Sequence, residues 1–473
     1  MKNLLATALL FISTISVAQN ANIEERIKRI ENGLLPVLQI KGEKIPTYNV
    51  NERLKQLRIP GMSVAFVKDG KVEWARAYGM SDVASNKPMT TETMLLAGSI
   101  SKPVAALRAH QLVENGSLSL DTDVNEYLKS WKVPENEFTT KEKVTLRRIL
   151  NHTAGLTVWG FPGYDKGDKI PSVSEVLDGK GNTDAVRVYK EPGKSWMYSG
   201  GGYTIMQLMI TDVEGINFPE TMQKNVLDPL GMTKSTFVNP LPEKYHGMAA
   251  TGYRGNGQEV EGKWPIYPEM AAAGLWTTPT QLIQYAIEVQ KINKDKKDGV
   301  LTYNSIEAML TPGMNDHGLG PQAGKERFGH GGADEGFRAN LIAWKNEPYA
   351  MVVMVNSDNG QIIQEMQLAI AKEYGLSGVE ADVREIAKLS SEEFEKYTGK
   401  FQVGELGVVE VENTGKSLLF KAPFIQQRVE IVPQSETNFF DKADGTQIIF
   451  ELAEGKVTGF KVQGLQAKRI IED

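Results

Sequence analysis

Apolar positions along the chain fall into three successive textures. Near the start, Ile23, Ile27, Ile30 and Leu34 recur at helical spacing in a charged background and predict an amphipathic helix ending near Gly33. The runs GMSVAFV from Gly61 and KVEWARAYG from Lys71 then flank Lys68-Asp69-Gly70, and an Asp-Gly pair between strand-like runs predicts a hairpin. From about Thr93 to Gln290 the pattern is helical, broken by Gly/Pro-rich loops. It includes AALRAHQLVENG, YTIMQLMITDVEG and a helix starting at Thr278-Pro279 before QLIQYAIEVQ. Strand patterns return in RFGHGG, GFRANLIAWKNE and YAMVVMVNSD, and a helical IIQEMQLAIAKEYG follows. These two sets of strands predict one antiparallel sheet built from both ends of the segment, flanked by helices and interrupted by a helical subdomain, an α+β arrangement.

After about Gly378 the runs become short and alternating: KYTGKFQVG, GVVEVENTG, KSLLFKAP, RVEIVPQS, TQIIFELAEG and KVTGFKVQG. Asn413-Thr414-Gly415 and Glu454-Gly455 punctuate them. Strands this regular predict a small closed or nearly closed antiparallel β-barrel. The stretch carries no His and no Trp, so it is expected to cover or shape a site rather than supply its chemistry.

A chain of 473 residues exceeds one ordinary core, which agrees with two folded domains. Met1-Lys2-Asn3, an apolar stretch from Leu4 to Ile15, and Ser16-Val17-Ala18 have the layout of a secretory signal, with cleavage expected after Ala18. That run is shorter than the ~20 residues of a bilayer span. No membrane span is expected in the mature protein, and a periplasmic or secreted location follows. The absence of Cys removes disulfides, thiolate metal sites and thiol catalysis together. A formal net charge of -6 without a concentrated basic stripe argues against nucleic acid as a partner. A small molecule or a peptide is the expected substrate.

Three short motifs carry candidate chemistry. Ser99-Ile100-Ser101-Lys102 lies at the mouth of the helical PVAALRAHQL run. Residues three apart share a helix face, so the serine hydroxyl and lysine amine can share a hydrogen bond at a helix N-terminus, and a neutral lysine can take the serine proton. Tyr198-Ser199-Gly200-Gly201-Gly202-Tyr203 follows the turn Glu191-Pro192-Gly193, with glycines that allow close backbone approach to a ligand and Tyr198 in position to bridge Ser99 and Lys102. Phe328-Gly329-His330-Gly331-Gly332-Ala333 lies on a predicted strand, where the Ala333 and Ser99 amides can form an oxyanion hole.

In this order the three motifs resemble the serine β-lactamase and penicillin-recognising superfamily, in particular its class C-like branch of D-aminopeptidases, esterases and related hydrolases (peptidase S12). LRRILNHTAGL from Leu146, Asp228-Pro229-Leu230-Gly231-Met232 and AAAGLWTTPTQL from Ala271 add to the likeness, which runs from about Ile23 to Leu376. The resemblance implies a β-lactamase-like catalytic domain over 19–380 and a lipocalin-like barrel over 386–473. It implies Ser99 as acylated nucleophile, Lys102 as general base, Tyr198 as proton relay, and Gly200, His330 and Gly332 as substrate-binding positions, with no cofactor and no metal. The implied activity is an exported serine hydrolase cleaving amide or ester bonds, with D-residue peptides and small esters as the candidate substrates. The alternatives are a β-lactamase or DD-carboxypeptidase, and a penicillin-binding sensor or scaffold without turnover. Two departures bear on substrate. Gly200 stands where many relatives carry Asn, and His330 where β-lactamases and DD-peptidases usually carry Lys, so both the amide grip and the fixed positive charge are lost. Efficient recognition of β-lactams or D-Ala-D-Ala is not expected.

Other matches carry no such weight. Ser357-Asp358-Asn359 spells a penicillin-binding motif but follows the histidine motif, and reads as a strand-end turn. Gly257 to Lys263 approaches a phosphate loop, yet Trp264 replaces its metal-binding hydroxyl. No GxSxG elbow occurs, and the five histidines lack HExxH spacing. Arg338 can meet a substrate carboxylate, but reads more simply as a strand-edge charge.

Overall fold

The computed structural model describes residues 21–422 and 429–470. The signal expected over Met1–Ala18 lies outside them, as do Pro423 and Arg428 at the ends of two expected strands. The chain forms two compact units: Met1–Asn32 with Asn49–Gln367, and Gly33–Tyr48 with Leu368–Asp473.

In the larger unit the first helix, α1, covers 21–31 and buries Ile27 and Ile30. Leu34 is not on it, because its backbone is instead bridged to Tyr48 in the other unit. The expected hairpin forms between β1 (Gly61–Lys68) and β2 (Lys71–Asp82). Lys68 pairs with Lys71 across Asp69 and Gly70, whose φ values of 54° and 72° fit the two-residue turn that matches strand twist. The short β3 (Lys87–Pro88) edges this hairpin.

The middle of the chain is helix and loop. Helix α2 (Ser101–Glu114) and helix α3 (Gly200–Glu214) are enclosed on nearly every face, the one-turn α4 (Met270–Ala273) packs beside them, and α5 (Pro279–Asp295) starts on a Thr278 side-chain cap. The chain then returns to the sheet through β4 (Gln322–Ala323), β5 (Arg327–Asp334), β6 (Phe337–Trp344) and β7 (Ala350–Val355). The resulting seven strands lie in the order β3-β2-β1-β7-β6-β5-β4. β7 pairs with β1 antiparallel and joins the two ends of the segment. Both strands are covered on both faces, which is why they read as unbroken apolar runs rather than as alternation.

The smaller unit holds a closed antiparallel barrel of eight strands, β8 (Gly399–Val403), β9 (Gly407–Asn413), β10 (Leu418–Lys421), β11 (Val429–Pro433), β12 (Asn438–Asp441), β13 (Gln447–Ala453), β14 (Lys456–Val462) and β15 (Leu465–Arg469). Closure comes from β8 pairing with β15, Phe401 opposite Arg469. Aromatic rings fill the interior: Phe450 lies 5.0 Å from Phe439 and 4.9 Å from Tyr397, and Phe420 lies 5.1 Å from Phe460. The barrel is therefore built around a packed core. In the same unit Leu38–Ile40 pairs in parallel with Asp382–Arg384.

Candidate active site

Ser99 sits in a single tight turn, Gly98–Ile100, that runs directly into α2. Gly98 has φ +53°, and a Cβ there would lie 2.5 Å from the Ala333 nitrogen. Only glycine permits this turn to press against β5. Gly332 makes the matching approach from the strand, since its Cβ would meet the Ala97 carbonyl oxygen at 2.0 Å. Beyond Gly329, where pairing to β4 stops, β5 keeps a partner only on the β6 side. Its other side meets the nucleophile turn, and the glycines are what bring Ala333 and Ser99 together.

Lys102, one helical turn on, is 2 % exposed. Its Nζ donates to Ser99 Oγ at 2.9 Å and to the Ala272 carbonyl at 2.8 Å. Ser101 Oγ accepts the Leu275 N–H, tying the same loop to α2 from its other side. The dyad inferred from sequence is thus formed, and the segment around Ala272 anchors the amine.

Tyr198 lies beside this dyad, with Lys102 Nζ 5.0 Å from its ring centroid. Its hydroxyl is buried and makes no hydrogen bond to Ser99 or Lys102. Ser199 caps α3 through the Gly202 N–H. The three glycines that follow serve packing rather than a ligand. A Cβ on Gly200 would lie 2.9 Å from Phe161 Cε2, and one on Gly201 would lie 2.7 Å from Val186 Cγ2. Gly200 is buried against that wall and does not line the cleft, whereas His330, Gly332 and Ala333 do.

The sequence left the histidines scattered, but the fold collects three of them. His152 stacks on Tyr198 at 4.3 Å between centroids, His317 lies 4.6 Å from His152, and His330 lies 5.8 Å from His317. All three are buried. Burial, followed by repulsion from charged neighbours, holds His152 well below the usual imidazole range, His317 at about 4 and His330 at about 3. Each is neutral near pH 7. His152 Nδ1 accepts the Ser199 N–H, so its proton is on Nε2. His330 Nδ1 lies 2.6 Å from the Gly331 carbonyl, which only accepts, so His330 carries its proton on Nδ1 and presents Nε2 as a bare acceptor. His152 belongs to the LRRILNHTAGL segment, which gave it a signal; His317 had none. Among the described residues no group of three His, Cys, Asp or Glu is placed to hold a metal ion.

Ser99, Lys102, Tyr198 and His330 line a cleft of about 820 Å³, which His152 and His317 do not reach. One wall is aromatic, from Phe161, Trp196 and the 72 % exposed Trp159. Gln322, Asn340 and Arg338 also line the cleft. Arg338 does not lie at a sheet edge, since β6 runs between β5 and β7. Its guanidinium bonds Asp358 at 3.0 Å and the Asp334 and Phe337 carbonyls. Asp358, in the turn after β7, also accepts the Gly336 N–H. Lys263, in the segment resembling a phosphate loop, pairs with the buried Asp82.

A sequence profile of the family described as Beta-lactamase matches residues 48–373. Among curated proteins, the chain is similar to penicillin-binding protein 4* of Bacillus subtilis (strain 168), 23% identical over 429 residues that cover 84% of this chain and 91% of that one. It is also similar to esterase EstB of Burkholderia gladioli, 25% identical over 203 residues, 41% of this chain and about half, 51%, of the esterase. Among solved structures, the octameric penicillin-binding protein homologue from Pyrococcus abyssi superposes with a TM-score of 0.60 at 22% identity, over 88% of this chain and 97% of that one. That likeness shows the fold. Among the described residues no helix is long and apolar enough to cross a membrane.

Proposed function

The chain belongs to the Beta-lactamase family, and from that membership we propose that it is a serine hydrolase that opens ester or amide bonds through an acyl-enzyme on Ser99. The observation that carries the reading is the 2.9 Å contact between Ser99 Oγ and the buried Lys102 Nζ. At that separation the bond can reverse, the hydroxyl donating to the amine in its neutral form. Ser99 Oγ then attacks the carbonyl carbon while its proton passes to Lys102, and the carbonyl oxygen takes up negative charge. The Ser99 and Ala333 N–H groups are the donors for that oxyanion. As the tetrahedral species collapses, the leaving group departs with a proton delivered through Tyr198, whose hydroxyl has no protein partner. Water repeats the sequence on the ester and frees Ser99.

Substrate choice follows from charge. The cations lining the cleft are Lys102 and Arg338; the first serves the nucleophile and the second is held by Asp358. His330 is buried and neutral where β-lactamases and DD-peptidases usually carry a lysine ammonium, so the fixed positive charge is missing. A substrate carboxylate gains little here, whereas an apolar group suits the Trp159 wall. Neutral esters, small amides and peptides with D-residues are therefore favoured over β-lactams. The secretory layout of Met1–Ala18 favours action outside the cytoplasm.

The test is steady-state turnover on matched neutral and carboxylate-bearing nitrophenyl esters, D- and L-aminoacyl amides and nitrocefin. The reading expects kcat/KM for the neutral ester to exceed that for its carboxylated match by on the order of 10-fold or more. Faster hydrolysis of nitrocefin would make the protein a β-lactamase. Acylation without turnover on every compound would make it a sensor.

A further inference from the structure

The glycine run that opens α3 takes no part in this acyl-transfer scheme, and the loop it holds points to a second binding surface. The first N–H groups of a helix have no partner inside it. Here the Gly200 N–H donates to the Trp159 carbonyl and the Gly201 N–H to the Val158 carbonyl, both at 3.1 Å, and Ser199 Oγ donates to the Thr157 carbonyl at 2.8 Å. Three successive carbonyls of one loop are thus seated on the end of the helix. Side chains at 200 and 201 would crowd this seat, because a Cβ on Gly200 would lie 3.1 Å from the Trp159 carbonyl oxygen and one on Gly201 would lie 3.1 Å from that of Thr157.

Seating the loop strains it. Val158 is held at φ +62°, a left-handed backbone that a β-branched residue rarely adopts. The residue it delivers, Trp159, is 72 % exposed, so burial of the indole does not offset the strain. A strained turn fixed by several hydrogen bonds, with its large ring left in solvent, suits a ring kept for binding rather than for packing.

Trp159 is shared by two cavities. One is the catalytic cleft; the other, of about 400 Å³, falls within the ~300–1,000 Å³ range of small-molecule sites. Trp159, Trp196 and Tyr198 line both, and Leu156, Tyr189 and Met197 line the smaller one alone. The Tyr198 ring lies 5.6 Å from that of Trp159 and 6.2 Å from that of Trp196. Among the described residues no Asp, Glu, Lys, Arg or His lines the smaller cavity, so its occupant is uncharged and apolar.

Continuity with the cleft through Tyr198 identifies that occupant. In the scheme above Tyr198 delivers a proton to the departing group, so the part of the substrate beside its ring is the alcohol or amine that leaves, not the acyl group that stays on Ser99. On the reading of Ser99 as nucleophile, which this inference rests on, we propose that the smaller cavity is a leaving-group subsite for an uncharged apolar alcohol or amine, with Trp159 as its specificity-determining residue. The bond to Ser99 Oγ forms and the bond to the leaving oxygen or nitrogen breaks. The proton that Ser99 gives up reaches the departing group by way of Lys102 and Tyr198, and the neutral alcohol or amine is released from against Trp159.

The experiment compares two ester series by pH-stat titration for wild type, Trp159→Ala and Trp159→Phe, with circular dichroism as the folding control. One series lengthens the alcohol, from ethyl to hexyl acetate. The other lengthens the acyl group, from ethyl acetate to ethyl hexanoate, and the two end on isomers. In wild type kcat/KM is expected to rise about 3-fold per added CH₂ along the alcohol series. Trp159→Ala is expected to lower the ratio of kcat/KM for hexyl acetate to that for ethyl hexanoate on the order of 10-fold. Trp159→Phe, which keeps an aromatic face, is expected to hold that ratio within about 3-fold of wild type. A ratio unchanged in Trp159→Ala, or one that rises because the loss falls on the acyl series, overturns the proposal. Binding of hexan-1-ol to Ser99→Ala, measured by titration calorimetry, reads the subsite without turnover and is expected to weaken on the order of 10-fold when Trp159→Ala is added. Equal binding to the two chains also overturns the proposal. Labelling of Ser99→Ala by a fluorophosphonate as fast as wild type would instead sink the nucleophile, a result distinct from any in the hexan-1-ol titration.

Discussion

His330 decides more about this site than any other single departure from the family pattern. An ammonium at that position presents only donors; the imidazole, with Nδ1–H turned to the Gly331 carbonyl, presents only an acceptor. The positive charge that an ammonium would bring to this position is absent. His330→Lys is therefore expected to raise the preference for a carboxylate-bearing ester over its neutral match by on the order of 10-fold, read as the ratio of the two kcat/KM values. An unchanged ratio would mean that the imidazole does not face the substrate. Ser99, Lys102 and His330 were legible in sequence because each lies in a short contiguous motif whose spacing alone implies its geometry. His317 and Glu269 were not, because what assigns them a place is long-range packing and not their neighbours in the chain.

Among the elements, the start of α3 shows how a sequence motif can be read correctly in place and wrongly in purpose. Its glycines predict close approach, and close approach is found, but by protein: Phe161 and the Trp159 carbonyl occupy the space a side chain at 200 would need. Gly200→Asn, which would restore the commoner residue of the family, is thus expected to overpack this wall. A loss of about 1–3 kcal/mol in urea unfolding is the expected outcome, with no gain in β-lactam hydrolysis. Wild-type stability together with new nitrocefin turnover would show that the aromatic wall yields easily. The hairpin at Asp69-Gly70 and helix α5 after Thr278 were predictable because turn and cap chemistry is local. The barrel was predictable as a class, but β12 and β15 were not. They are four and five residues long; NFFD shows no alternation, and LQAKR buries only Ala467, so pairing with their neighbours is what defines them.

For the molecule as a whole, the buried titratable groups set the pH range of stability, and their signs oppose. His110, His152, His317 and His330 have folded values below the ordinary 6.5, so the unfolded chain binds more protons and stability falls as pH drops through about 6.5 towards 3. Glu269 and Asp334 have folded values near 8, far above those of free carboxyls, so the folded protein binds more protons and stability falls as pH rises from about 4 to 8. Below pH 6.5 the histidines outnumber the two acids; above it only the acids act. The urea midpoint is expected to peak near pH 6.5, and Glu269→Gln with Asp334→Asn is expected to flatten its alkaline side. A peak above pH 8 would show that these carboxyls are ionised in the fold.

The central claim is that Ser99 is the nucleophile, and intact-protein mass spectrometry after treatment with a fluorophosphonate tests it most directly. The account predicts one covalent adduct per chain, mapped by digestion to the peptide carrying Ser99 and absent from Ser99→Ala. An adduct of equal yield on Ser99→Ala, or one mapped to another residue, would contradict it.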